Sequence, residues 1–309
     1  MAENIAKTTL KLKGAEFFNT SVENIGVRTI RSKHLFDLVA LSYDQEEVWL
    51  KMAHKFKVND SYLQALSLET EILAREIISQ HTKLKLNEII EFNITHDLLP
   101  NDFILLVPPE GNLLENAEIT PELKIQIDEF QSNFYKINNS TFGDLLENNS
   151  FISWSAYFQQ HWLQLIKALQ NHRLLTNQEI DSAEEFYQSL KSTLTEESLP
   201  VLINLNLEGD LFIGSYDQIV GYADYSSCFW GTPEFEFAKR DFLKFAETPA
   251  LATYKQQVHT IIEVKARYFL YLVSFLFEET LIYYCKSGNS SSSLNFKTMA
   301  LTLIKNALS

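Results

Sequence analysis

Residues 199–238 read Leu-Pro-Val-Leu-Ile-Asn-Leu-Asn-Leu-Glu-Gly-Asp-Leu-Phe-Ile-Gly-Ser-Tyr-Asp-Gln-Ile-Val-Gly-Tyr-Ala-Asp-Tyr-Ser-Ser-Cys-Phe-Trp-Gly-Thr-Pro-Glu-Phe-Glu-Phe-Ala. Three short apolar runs, 201–203, 211–213 and 219–223, are separated by polar stretches rich in Gly, Asn and Asp. That punctuation predicts antiparallel hairpins. The last run ends on a carboxylate, Asp224. An acidic side chain at a strand end, facing a polar loop, suits a metal or phosphate site.

Upstream the pattern recurs. Residues 36–41 and 48–53 flank the charged turn 42–47 and predict a second hairpin, with alternation already present at Val27 and Thr29. Lys51 falls in the middle of its second strand, among apolar neighbours, and a lysine buried there needs an anionic partner. Residues 61–79 carry Leu63, Leu66, Ile72, Leu73 and Ile77 at helical spacing. Glu69 and Glu71 on that helix are the candidate partners. Strands follow at 86–94 and 103–107, and Pro108-Pro109 stops the second, because proline cannot donate to a ladder. The expected division is therefore 1–107 and 108–309. Beyond it the chain reads as helical. Thr120-Pro121 is a helix start, and Ser153-Trp154 opens a long helix whose Trp154, Phe158 and Trp162 form a core stripe. Residues 286–294, rich in Gly and Ser, read as a flexible linker before a last helix at 296–308.

Taken together these features resemble the aminoglycoside phosphotransferase family, kinase-like enzymes that include the choline and fructosamine kinases. The family pattern is His-Gly-Asp-Leu-x-x-x-Asn, a hairpin, an apolar strand ending in Asp, then Gly-x-Pro-x-x-Asp-Leu-Ala. Laid on this chain without gaps, Asn204 stands at the His, Leu205 at the Gly, Asn206 at the catalytic Asp and Leu211 at the metal-binding Asn. Asp224 keeps the second metal carboxylate, 18 positions after Asn206, and Gly231 to Ala238 reproduces the last motif with Glu236 as its acid. Phe142-Gly143 followed by Ser153-Trp154 is similar as well. The resemblance implies an α+β, bilobal protein-kinase-like fold. A small antiparallel β N-lobe with one helix (1–107) would take the nucleotide. A mainly helical C-lobe (108–309) would carry the catalytic hairpin, 199–238. ATP and Mg2+ are the implied ligands. Lys51 is then the phosphate lysine and Glu69 its partner, favoured over Glu71 because Leu73 falls four residues on. Leu106 and Val107 lie in the implied hinge, whose main chain contacts adenine, and 19–26 occupies the place of a phosphate-covering loop.

The chemical positions depart from the family pattern. Phosphoryl transfer needs neutralised phosphate charge, a metal held by acidic groups, and a base that orients the acceptor hydroxyl. The amide of Asn206 can orient a hydroxyl but cannot take its proton, and loss of a general base costs about 10²–10⁴-fold. Leu211 cannot ligate a metal. Glu208 is the stand-in for the catalytic position and Asp210 for the metal position. The expectation is a catalytically impaired kinase, a pseudokinase, that retains a nucleotide or small-molecule site. The alternatives are an active ATP-dependent small-molecule phosphotransferase with remodelled residues and a non-catalytic subunit with a protein partner.

Composition narrows the field further. The 309 residues carry 40 acidic and 26 basic side chains, a net charge of −14, and no basic stripe, which argues against a nucleic-acid partner. The two cysteines form no CxxC pair, so no disulfide framework is expected and a reducing cytoplasm is the expected compartment. The N-terminus lacks an apolar signal region, and the longest apolar run, 268–277, is too short for a bilayer, so no membrane partner is expected. The seven histidines form no zinc motif.

Overall fold

The computed structural model describes residues 7–32, 36–53, 62, 68–82, 86–93, 102–108, 111–113, 120–146, 149–194, 199–205, 211–213, 218–222, 224–246, 262–288 and 290–308. The helices are α1 (Lys7–Phe18), α2 (Leu68–His81), α3 (Pro121–Phe134), α4 (Trp154–Asn171), α5 (Asn177–Leu190), α6 (Pro233–Ala246), α7 (Ile262–Ser287) and α8 (Ser291–Leu308). The strands are β1 (Gly26–Ser32), β2 (Phe36–Tyr43), β3 (Glu46–Ala53), β4 (Ile89–Asn93), β5 (Phe103–Leu106), β6 (Asn112–Leu113), β7 (Phe142–Gly143), β8 (Ser150–Phe151), β9 (Val201–Asn204), β10 (Leu211–Ile213), β11 (Ile219–Tyr222) and β12 (Cys228–Gly231). They fall into two compact units, each assembled from distant segments. The first takes 1–56, 66–128 and 209–226; the second takes 57–65, 129–208 and 227–309.

The first unit is built on a five-stranded antiparallel sheet of order β1-β2-β3-β5-β4. β2 and β3 pair without a break from Phe36↔Ala53 to Tyr43↔Glu46, and Asp44 in their turn takes φ 56, a conformation that aspartate tolerates. The strand period of two sends Val39, Leu41, Val48, Leu50, Met52, Phe103 and Leu105 to one face, where Leu10 of α1 joins them. Phe36, Leu38, Ala40, Trp49, Ile104 and Leu106 line the other face with Leu68 of α2. Both faces are covered, so the central strands are buried throughout. α1 carries little periodic pattern of its own, and the burial of its Leu10 and Ala15 decides its place. Residues 19–26 accordingly connect α1 to β1 and hold a short 3-10 turn, Val22–Asn24. A smaller sheet, β11-β10-β6, completes the unit.

The second unit holds a four-stranded sheet of order β8-β7-β12-β9, with α4 to α8. Here the expected three-strand hairpin is corrected. β9 does not pair with β10; it pairs with β12, a strand the sequence reading lacked, from Cys228↔Asn204 to Gly231↔Val201. Cys228 to Gly231 is buried along its whole length and gives β9 an apolar partner. Gly143 pairs with Trp230. Its φ is 133 and an added Cβ would lie 1.8 Å from the carbonyl oxygen of Asn149, so the position requires glycine. Ser153 caps α4 by accepting from the N–H of Ala156, and Trp154 Nε1 donates to Tyr271 Oη at 2.6 Å. The Gly/Ser linker is also corrected. α7 runs to Ser287 and α8 starts at Ser291, because Ser290 Oγ caps the Ser293 N–H and Ser293 Oγ bonds the Thr280 carbonyl. Among the described residues no helix is long and apolar enough to cross a membrane.

Candidate functional site

The first unit gathers four charged side chains, Lys51, Glu71, Arg75 and Asp224, into one cluster. The strand period places Lys51 on the sheet face that α2 covers, between Trp49 and the apolar positions of β2, and it is 4 % exposed. Its ammonium donates to Glu71 Oε2 and, at 2.6 Å, to Asp224 Oδ1. It also lies 4.7 Å above the Phe36 ring. Burial works to lower the Lys51 pKa; the charges of Asp224 and then Glu71, with their hydrogen bonds, outweigh it and carry the value above the ordinary lysine range.

The helix partner is Glu71 rather than Glu69. Positions 69 and 71 are about 200° apart on a helix of 3.6 residues per turn, so they cannot both face the sheet. The buried stripe of α2 is Glu71, Ala74, Arg75 and Ile78, and Glu69 is exposed. The i, i+3, i+4, i+7 spacing was present in the sequence and identifies the buried acid. Glu71 is fully buried. Its Oε1 accepts from Arg75 Nε at 3.1 Å and Nη2 at 3.0 Å. Arg75 Nη1 donates to the Asn87 carbonyl at 3.0 Å, and the guanidinium lies 4.8 Å over the Tyr225 ring. Sequence reasoning did not single out Arg75, although an Arg four positions after a Glu is an intrahelical pair.

Asp224 follows β11 and is 4 % exposed. Besides Lys51, its Oδ1 accepts from the Ser226 N–H at 3.0 Å and from Ser226 Oγ. Leu211 sits in β10 opposite Tyr222. Asn206, Glu208 and Asp210 lie outside the described residues. Leu106 is buried in β5, and the Val107 N–H is taken by the Glu88 carbonyl at 3.0 Å, so that amide is not available to a purine. In the second unit Glu236 is buried; it accepts from Gln131 Nε2 at 2.5 Å and, at 3.4 Å, from the Asn204 N–H, tying α6 to α3 and β9.

The second unit also contains a polar cluster that the sequence did not reveal. Tyr62 Oη donates to Glu278 Oε1 at 2.5 Å, and His161 Nε2 stands 3.7 Å from the same oxygen. Lys239 approaches Glu278 at 3.9 Å and Glu279 at 3.3 Å. Tyr157 stacks on His161 and on Phe229. Burial lowers the His161 pKa; Glu278 opposes this and Lys239 adds to it.

Among the described residues the donors do not make a Mg2+ site. The Asp224 oxygen that faces Lys51 is already taken by the ammonium and by Ser226, Glu71 is engaged by two cations, and Leu211 brings no donor atom. Among the described residues no group of three metal-ligating side chains forms.

No family model matches the chain, and no curated protein matches it in sequence. Solved structures do match over nearly its full length. A thermostable mutant of aminoglycoside phosphotransferase APH(4)-Ia, in ternary complex with AMP-PNP and hygromycin B, is 10% identical with a TM-score of 0.66, covering 97% of this chain and 99% of its own. The GDP complex of aminoglycoside 2'-phosphotransferase-IIIa is 12% identical, TM-score 0.60, covering 98% and 100%. A putative fructosamine-3-kinase from Thermobifida fusca is 14% identical, TM-score 0.61, covering 98% and 99%.

Proposed function

Because the chain has the kinase-like fold of the aminoglycoside phosphotransferases and fructosamine kinases, we propose that it binds a nucleoside triphosphate through Lys51 and transfers its phosphoryl group poorly or not at all. One observation carries the reading: a buried lysine in the middle of a strand meets a helix carboxylate, Glu71, and a strand-end carboxylate, Asp224. A cation held this way is aimed and desolvated, which suits it to take up phosphate charge. Fold alone does not carry function; the Lys51 constellation is what adds chemistry to it. Impaired turnover is supported by the residue types at two sequence positions, the amide of Asn206 and the apolar Leu211. A neutral amide offers no proton acceptor, and the lost base accounts for about 10²–10⁴-fold. The reading rests on Lys51 and not on Mg2+, whose expected holders are Asp224 and Asp210, the latter outside the described residues. The neighbours carry AMP-PNP in one case and GDP in another, so both purines belong in the test.

The test is thermal denaturation with ATP and GTP, followed by a turnover assay on aminoglycosides, choline and ketosamines. A ligand at a hundred times its Kd stabilises the native state by about 2.7 kcal/mol, so a clear upward shift with at least one nucleotide is expected. Absence of any shift overturns the nucleotide site. Turnover at the 1–100 s⁻¹ usual for kinases, about as fast as the fold supports, overturns the impairment.

A further inference from the structure

The two oxygens of Glu71 are divided between two cations, Oε1 to Arg75 and Oε2 to Lys51. Lys51 in turn is shared with Asp224. Two carboxylates and two cations, each less than a tenth exposed, make a cluster of zero formal charge. We propose that Arg75 is a positioning residue: by sharing Glu71 it leaves Lys51 free to turn toward an anion. The inference rests on the nucleotide-binding reading and adds to it the residue that makes the lysine available.

The argument is electrostatic. A buried carboxylate that loses its only cation is strongly destabilised. If Glu71 depended on Lys51 alone, a phosphate could recruit that ammonium only by stripping a fully buried acid. With Arg75 in place, Oε1 keeps a two-nitrogen contact when Lys51 moves, and Glu71 stays compensated. The site at Arg75 is built for this. Position 75 belongs to the buried stripe of α2, where an apolar side chain would be the ordinary choice. Instead the guanidinium is held from three sides, by Glu71, by the Asn87 carbonyl and by the face of Tyr225. Tyr225 follows Asp224 directly. Arg75 therefore links the segments that carry both carboxylate partners of Lys51, and it fixes their separation.

The experiment is calorimetric titration of ATP into wild type, Arg75→Met, Arg75→Lys and the double variant Glu71→Gln/Arg75→Met. Arg75→Met should weaken ATP binding about tenfold, the size of one charge-assisted contact. Arg75→Lys should stay within about threefold of wild type, although both single variants lose the two-nitrogen contact and the Tyr225 stack and both melt lower. That dissociation of affinity from melting temperature is what a purely structural role would not give. The double variant should bind more tightly than Arg75→Met, since the competing carboxylate charge has been removed. Should Arg75→Met fail to fold, Arg75→Lys decides: affinity within about threefold of wild type despite a lower melting temperature is expected, and affinity that falls with the melting temperature overturns the inference. Wild type that binds while Arg75→Met binds equally well overturns this inference alone. Affinities that fall in step with melting temperature, in Lys and Met variants alike, also overturn it. Wild type that binds no ATP or GTP defeats the nucleotide reading itself, and this inference with it.

Discussion

Lys51 Nζ lies 2.6 Å from Asp224 Oδ1, across 173 positions of sequence. The contact joins the middle of β3 to the segment after β11, and Glu71 of α2 closes it from a third direction. Removing the lysine takes the ammonium from the buried Asp224 carboxylate and leaves Glu71 to Arg75 alone. Lys51→Met is therefore expected to destabilise the first unit by about 3–5 kcal/mol, the usual cost of breaking a buried pair from one side. Adding Asp224→Asn to it should recover part of that loss. Denaturant unfolding of the two single variants and the double variant measures the coupling.

The same contact sets an alkaline limit. The folded-state pKa of Lys51 lies above its ordinary value, so the stability it contributes is complete below the unfolded pKa, about 10.4. It is lost as pH rises through the higher folded value. The stability gap between wild type and Lys51→Met is expected to hold constant from about pH 8 to 10 and to shrink beyond that. Urea midpoints measured along that range check it; a gap that widens with pH contradicts it.

His161 sets an acid limit in the second unit. Its folded pKa is lowered, so the unfolded chain takes up a proton first, below about pH 6.5. Stability falls from there down to the folded value. Tyr62, Tyr157, Glu278 and Lys239 face the ring. His161→Phe is expected to flatten the loss of stability between about pH 6.5 and 5. Thermal unfolding of both proteins at matched pH reads it directly.

Gly143→Ala tests the sheet of the second unit. The methyl would overlap the Asn149 carbonyl in a backbone conformation that suits glycine. A loss of more than about 2 kcal/mol is expected, from strain and overpacking together. An alanine variant with a wild-type unfolding midpoint would show that β7 is placed incorrectly.

Much of this was legible in local pattern, and the rest required tertiary context. The near-continuous apolar run Leu38, Val39, Ala40 and Leu41 announces a strand covered on both faces, and Lys51 shares the face of Leu38, Ala40 and Trp49, which is why it is buried. The placement of Asp224 at the end of an apolar run marked it before any contact was known. The motif spacing favours Glu69, whereas the buried stripe of Ala74, Arg75 and Ile78 selects Glu71. β12 escaped notice because four residues between a turn and Thr232-Pro233 carry little periodic signal; only its pairing with β9 makes it a strand. The serines at 291–293 resembled a linker because composition does not reveal that Ser290 caps a helix. A cut at 107 also cannot express the interleaving of the units, in which 209–226 returns to the first.

The central claim is that Lys51 is the anchor of a phosphate-binding site, and calorimetric titration of ATP into wild type and Lys51→Met, with and without Mg2+, tests it most directly. Wild type should bind, and Lys51→Met should bind at least about tenfold more weakly in both conditions. Equal affinity in the two proteins would contradict the claim.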